Sequence, residues 1–551
     1  MSENRRIARA AGLVGFFTLL SRIAGLVRDA VIGYYFGTGI AADAFFVAFR
    51  IPNLLRRFVA EGAMSVAFVP VFTEYLTKRS RREAVEAASA LATVMAAVLL
   101  VLTMLGVAFA PLWTSLFAPG FSEAPDKFAL TVTLTRWLFP YIFLVSLVAL
   151  ASGILNSLRH FAAPAAAPIF LNLSIIGAAV GLSPRLSTPI YGVAYGVLIG
   201  GLVQLAVQIP PLLRHGVRIV PRWQPRHEAV RRALGLMAPM VFGAAVYQVN
   251  LMISTMLASV LPSGSVSYLW YADRVFEFPL GIFAVALGTA ALPSFSAQAA
   301  RRAYAELRQS LAFSIRITNV IALPATVGMI TLAMPIVSVL FQRGAFGARE
   351  VTPTTQALCA FAVGLWPVSM ARLVVPAFYA LEDTRTPVIA AAVAFVVNCT
   401  CCLLLMGPAA TGGDSRLADA IAALTRTLSV VDLRHAGLAL STSVAASVNL
   451  LVLFLVLRRR LGALGGDRIL ASFFRALGAS LAMVPVVRYV AGLTTWSDPG
   501  HTVVHAAVLT AAIVAGVLVF TMVALALGGD EVRVLTALMR QRLGALALRR
   551  D

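Results

Sequence analysis

The chain has 551 residues, 60% of them hydrophobic and 13% charged, with a mean hydropathy of +0.87. Soluble domains run at roughly 45–50% apolar and about 25% charged, so a soluble enzyme, a disordered chain and a disulfide scaffold are excluded together. The net charge of +21 sits in short clusters between long apolar runs, not on one water-facing patch. That pattern marks the loops of a membrane protein and argues against a nucleic-acid binder.

The N-terminus opens with Arg5, Arg6 and Arg9 before an apolar stretch, but Arg22 and Arg28 interrupt that stretch and no small-residue cleavage site is evident. It reads as a retained first span. A crossing helix needs about 20 mainly apolar residues. In chain order such runs fall at 10–35, 41–72, 86–112, 130–156, 162–182 and 190–213. A basic, proline-containing gap at 214–232 reads as a lobe-to-lobe linker. Further runs lie at 233–260, 266–297, 311–340, 353–380, 387–407 and 436–457, then at 474–493 and 503–527. The gap at 408–435 reads as an amphipathic helix with no function assigned to it. These runs are too long, and alternate too little, for a β-barrel.

The expected fold is therefore an all-α polytopic membrane protein of fourteen transmembrane helices. Residues 1–230 form one six-helix lobe, 231–460 a pseudo-symmetric second lobe, and 461–551 two extra helices and a basic tail. A weak internal repeat supports two lobes: Pro70 and Pro293 each sit near the end of a span that is followed by basic residues. With both termini in the cytoplasm, Lys and Arg divide about 28 to 7 in favour of cytoplasmic gaps. Cys359, Cys399, Cys401 and Cys402 all lie in apolar runs without zinc-ligand spacing, and read as small buried side chains.

Charges inside spans are expensive and must be hidden, paired or used. The first span keeps Arg22, Arg28 and Asp29; the second keeps Asp43, Arg50, Arg56, Arg57 and Glu61; the eighth keeps Asp273, Arg274 and Glu277. Asp43, Arg50 and Arg57 step by seven and would share a face of a continuous helix. Arg136, Arg316 and Arg488 read as snorkelling side chains or structural ion pairs. The three-span cluster has more arginines than acids, six against five. A cavity of this kind takes an anion, and the planar guanidinium fork suits pyrophosphate oxygens.

The segments SRIAGLVRDAVIGYYFG (21–37), ADAFFVAFRIPNLLRRFVAEGAMSVAFVPVF (42–72), APGFSEAPDKFALT (118–131) and SGSVSYLWYADRVFEFPLGIFAVALGTAALPS (263–294) closely resemble the MurJ (MviN) lipid II flippases of bacteria, within the multidrug/oligosaccharidyl-lipid/polysaccharide (MOP) exporter superfamily. The resemblance covers nearly the whole chain. It implies a flippase, not an enzyme, that moves undecaprenyl-pyrophosphate-linked disaccharide-pentapeptide from the cytoplasmic to the periplasmic leaflet of the inner membrane for peptidoglycan synthesis. It places the needed cavity residues at Arg22, Arg28, Asp43, Arg56, Glu61, Asp273 and Arg274, and the residues themselves add Glu277. The last two spans resemble a pair that forms a groove for the lipid tail.

Alternating access through a cationic central cavity needs no bond chemistry, and neither a metal centre nor a G-x-x-x-x-G-K-[ST] loop is found. The expectation is no cofactor, with coupling to the membrane potential or to a monovalent ion, for which Asn250 and Asp383 are candidates. Expected partners are lipid II, membrane lipids and cell-wall synthases, with no nucleic acid, and the chain is expected to be a monomer. The rival readings are a flippase for another polyprenyl-pyrophosphate oligosaccharide and a multidrug cation exporter. The 42–72 segment and the arginine-rich cluster stand against these in turn.

Overall fold

The structure is a computed structural model that describes residues 3–56, 64–409, 415–496, 502–534 and 537. Helices α1 (Glu3–Phe36), then α2 (Ile40–Arg56) and α3 (Met64–Lys78), occupy the first two expected spans. The third holds α4 (Arg81–Ala108) and α5 (Ala110–Phe117), and the fourth α6 (Pro125–Leu138) and α7 (Pro140–Ser157). Next come α8 (Ala162–Gly181), α9 (Ile190–Arg214) and α10 (Glu228–Ser259). The eighth span is α11 (Ser265–Pro279), a π-helical turn at Leu280–Ala284, and α12 (Val285–Ala300). Beyond it lie α13 (Tyr304–Thr331) with α14 (Ala333–Phe341), α15 (Ala348–Val363) with α16 (Leu365–Ala380), and α17 (Arg385–Leu405). Helix α18 (Arg416–Leu428) lies in the 408–435 gap, and α19 (Arg434–Leu461), α20 (Gly466–Ala491) and α21 (Thr502–Ala526) end the series.

Among the described residues there is no β-strand, only two isolated bridges. Eleven helices or helix pairs there are long and apolar enough to cross a membrane. Large apolar side chains face outward along them, such as Val98, Val101 and Leu105 on α4 and Val517 and Leu518 on α21, as a lipid-solvated surface requires. The breaks have local causes. Pro140 is the first residue of α7 and removes a helical donor at the α6–α7 junction. In the second expected span, residues 57–63, between the described parts α2 and α3, lie outside the described residues, with Arg57 and Glu61 among them.

The chain divides into two compact units, Met1–Ser267 with Pro408–Thr427, and Tyr268–Gly407 with Leu428–Asp551. In the first, α8 packs on α9 and α1 packs on α8. The close approach has a sequence cause. Gly192, Gly196 and Gly200 recur every fourth residue of α9, and a Cβ on Gly196 would lie 2.8 Å from the Ala178 Cβ and 2.9 Å from the Ile175 Cα. Small residues at this spacing let membrane helices meet backbone to backbone. Phe68, Phe72, Leu91, Met95 and Ile154 form a core beside the gap at 73–85. There Ser80 starts α4 with a capping box to Glu83. Glu74 takes hydrogen bonds from Lys78 and Arg232, which hold its carboxyl below the ordinary carboxylate range.

In the second unit, α12 packs on α16, α16 and α17 on α19, and α13 and α21 on α20. Arg316 on α13 is paired at 2.8 Å with Glu531, a carboxylate only 4% exposed just beyond α21. That is a structural ion pair fastening the last helix to α13. Arg488 is exposed in the last turn of α20. Helix α18 belongs instead to the first unit; it buries Ala418, Ile421, Ala422 and Thr425 on one face, and Thr425 accepts the Ala409 N–H at 3.0 Å.

Candidate functional site

The glycine seam on α9 fixes α8, and α8 in turn presents Asn172 to α1. Arg28 lies on α1 with 8% of its surface exposed, and the adjacent Asp29 with none. The Arg28 fork donates twice to one Asp29 oxygen, from Nη2 at 2.7 Å and Nε at 3.0 Å. Its remaining arm, Nη1, donates to Asn172 Oδ1 at 3.1 Å, and Asn172 Nδ2 donates back to the Ser21 carbonyl at 3.1 Å. Two turns of α1 are thus tied together by a side chain from α8. Asn172 carries no charge and sits in an apolar run, so nothing in its own segment marks it. Arg22 is half-buried on α1 and shares a face with Asp29, seven residues on.

Asn172 is therefore a positioning residue for Arg28. Replacing it by Ala removes one charged hydrogen bond, about 1.5–3 kcal/mol, and lets the Arg28 fork turn. The expected outcome is a roughly tenfold or greater fall in transport at unchanged membrane level, with Asn172→Asp restoring part of it, because the acceptor for Arg28 returns but the donor to the Ser21 carbonyl does not. Equal loss in both variants would show that only packing at α8 is at stake.

Asp43, in the first turn of α2, is 1% exposed. Its carboxylate accepts from Lys127 Nζ at 2.8 Å, the Gly264 N–H at 2.8 Å, the Ser267 N–H at 2.9 Å and the Ser267 hydroxyl at 2.6 Å. One acid therefore holds the starts of α2, α6 and α11 together. By sequence Lys127 falls among the loop charges. The structure corrects this: it is buried in the first turn of α6, against Asp43 and over the Phe121 ring at 4.1 Å.

Arg50 donates from α2 to Thr255 on α10 at 2.6 Å, and Arg56 is half-buried at the end of α2. Glu61 lies outside the described residues. On α11, Arg274 meets Glu277 at 3.2 Å with 31% of its side chain exposed, and its guanidinium lies 4.7 Å from the Trp270 ring centre. Asp273, beside it, is half-buried. The arrangement leaves part of the Arg274 side chain exposed within an apolar span.

Asn250 is on α10 in the first unit and Asp383 in the second. Asp383 accepts from the Arg385 N–H, the Thr386 N–H at 3.0 Å and the Thr386 hydroxyl, and pairs with Arg460 at 2.9 Å. It caps the start of α17. Burial pushes its carboxyl up, but the Thr386 donors and Arg460 outweigh it and the net direction is down. A depressed acid stabilises the fold above its unfolded value and loses that contribution as pH falls through the folded one. Asp383→Asn should cost about 1 kcal/mol at neutral pH and flatten the loss of thermal stability below pH 4, read by melting curves across pH. An unchanged acid limb would show that Asp383 contributes nothing to it. Among the described residues no group of three His, Cys, Asp or Glu could hold a metal ion.

These features define a polytopic helical membrane protein with arginines built into its spans. Solved multidrug transporters of the MOP superfamily share the fold: an inward-facing MATE family structure aligns with TM-score 0.58 at 17% identity over 82% of this chain and 95% of that one. The profile of the family described as "Lipid II flippase MurJ" matches residues 32–508, and the chain belongs to this family. The lipid II flippase MurJ of Burkholderia cenocepacia is 37% identical over 494 residues, 89% of this chain and 91% of its own. A probable lipid II flippase MurJ of Vibrio cholerae is 35% identical over 72% of this chain and 77% of its own. A solved structure of lipid II flippase MurJ in an inward closed conformation aligns with TM-score 0.73 and 26% identity over 93% of this chain and 98% of that one.

Proposed function

We propose that the chain is a lipid II flippase. It carries the undecaprenyl-pyrophosphate-linked peptidoglycan precursor from the cytoplasmic to the periplasmic leaflet of the bacterial inner membrane, with both of its own termini cytoplasmic. The family membership supports the cargo, and the charge alternation of the loops supports the orientation. The single observation that carries the chemistry is Arg274, whose side chain is 31% exposed within a membrane span and whose guanidinium lies over the Trp270 ring. Such a group gains most by meeting an anion, and a pyrophosphate offers the matched oxygens.

The headgroup cannot enter hydrocarbon, so it passes along polar protein while the polyprenyl tail stays in lipid. Arg22, Arg28 and Arg56 from the first unit and Arg274 from the second meet its charge in turn as the transporter alternates access. The membrane potential, worth about 2.3 kcal/mol per charge per 100 mV, or a monovalent cation supplies the direction. The test is a strain depleted of its own flippase and supplied with this chain. Lipid II accessible from outside the cell should return to normal, and growth with it. Growth without externally accessible lipid II, or neither, would reject the reading.

A further inference from the structure

The gap 214–232 carries six arginines against one acid, Glu228, and the structure shows where it runs. The chain leaves α9 by a left-handed turn at Gly216, where φ is +63°. The turn is held by Arg81, whose guanidinium donates to the His215 carbonyl, and by the buried Val217. Residues 217–224 then run without helical structure. They do not hang free in water. The Val220 N–H donates to Ser89 Oγ at 3.3 Å and the Arg222 N–H to Thr93 Oγ1 at 2.8 Å, so the arm lies along the opening turns of α4.

This placement sets a depth. The last acids at the start of α4 are Glu83 and Glu86, and the span is apolar beyond them. Thr93 is seven residues past Glu86, about 10 Å along the helix. The arm's exposed large apolar side chains, Ile219, Val220 and Trp223, lie at or next to the residues bonded to Ser89 and Thr93, and Trp223 is 65% exposed. Arg222 has its backbone beside Thr93, yet its guanidinium reaches back to Glu86 at 3.3 Å. That is the posture of an arginine stretching from an apolar level towards the water line. Tryptophan on the rim of a span belongs at the same boundary.

The charge left over points to the partner. Glu86 is already paired with Arg82 and Arg222, Glu74 with Lys78 and Arg232, and Glu228 with Arg79. Arg218, Arg226 and Arg231 are exposed, and their side chains have no hydrogen bond or ion pair among the described residues. We propose that the 216–231 arm is a lipid-binding element: Ile219, Val220 and Trp223 sit in the headgroup–acyl boundary, while Arg218, Arg226 and Arg231 bind the phosphates of anionic phospholipids. An apolar wedge flanked by uncompensated arginines, at a fixed depth beside a span, matches a negatively charged leaflet surface. A water-soluble protein partner would not need the apolar side chains to lie below the acids of α4.

The test uses the full purified chain. Native mass spectrometry with phosphatidylglycerol, and separately with phosphatidylethanolamine, reads lipid affinity for wild type and for R218Q/R226Q/R231Q, which touches no internal ion pair. Each arginine near an anionic surface is worth about fivefold. Phosphatidylglycerol affinity should therefore fall at least tenfold in the triple variant, and phosphatidylethanolamine affinity should stay within twofold. In phosphatidylglycerol nanodiscs, spin-labelled lipids with a shallow label should quench the fluorescence that separates wild type from W223F. The proposal is overturned if the triple variant binds phosphatidylglycerol within twofold of wild type, if both lipids lose affinity equally, or if the Trp223 signal is not quenched.

Discussion

Replacing Asp43 by Ala will destabilise the protein by about 3–5 kcal/mol, because breaking a buried ion pair leaves an uncompensated charge. Lys127 is the stranded partner, and the Gly264 and Ser267 N–H groups and the Ser267 hydroxyl lose their acceptor at the same time. Asp43→Asn should cost less, since an amide oxygen still receives the Ser267 donors. The double variant D43A/K127M should recover much of the loss, as removing both charges removes the stranded one. Thermal and denaturant unfolding in detergent reads all of these. If D43A unfolds within about 1 kcal/mol of wild type, the carboxylate is not what joins α2, α6 and α11.

Arg274→Ala should have the largest effect on transport with the least on folding. Its ion pair with Glu277 is about one-third exposed on both sides, and exposed pairs contribute about 1 kcal/mol or less. A charged hydrogen bond to the headgroup is worth about 1.5–3 kcal/mol, or roughly ten- to a hundredfold in rate. Arg274→Lys keeps the charge but loses the fork, so rescue should be partial. Arg274→Glu should be worse than Ala, because it repels the cargo. Growth of the flippase-depleted strain and externally accessible lipid II are the readouts, with membrane levels checked by blotting. Wild-type transport by the Ala variant would make Arg274 structural and remove the chemical basis of the proposed mechanism. Arg28→Ala is a less clean test, since it also takes the bidentate pair from the fully buried Asp29.

The spans are legible because apolar length is written in the chain itself. Twenty apolar residues in lipid satisfy their own backbone only as a helix, so α4, α8, α9, α17, α19 and α21 fall where the hydropathy places them. The amphipathic α18 is legible for a similar reason, its buried positions recurring at helical spacing. The local breaks are less so. Pro140 and Pro279 are visible in the chain, but a proline by itself does not say whether a span divides, as at Pro140, or carries on through a π-helical turn, as after Pro279.

By itself the sequence determined that this is a many-span helical membrane protein with arginines held inside its spans, because the cost of a charge in lipid depends only on the residue and the length of the run. Local pairs such as Arg28 with Asp29 and Arg274 with Glu277 are written in the chain, but the partners that come from other helices were decided by the tertiary structure alone. Lys127 looks like a loop residue and is the buried counter-ion of Asp43. Asn172 looks like a polar side chain in an apolar run and holds the Arg28 fork, 144 residues away in sequence. The 214–232 gap looks like a bare linker and lies pinned along α4. Hydropathy is a sum over neighbours in the chain. Electrostatic pairing is a sum over neighbours in space, and only packing such as the glycine seam between α8 and α9 decides who those are.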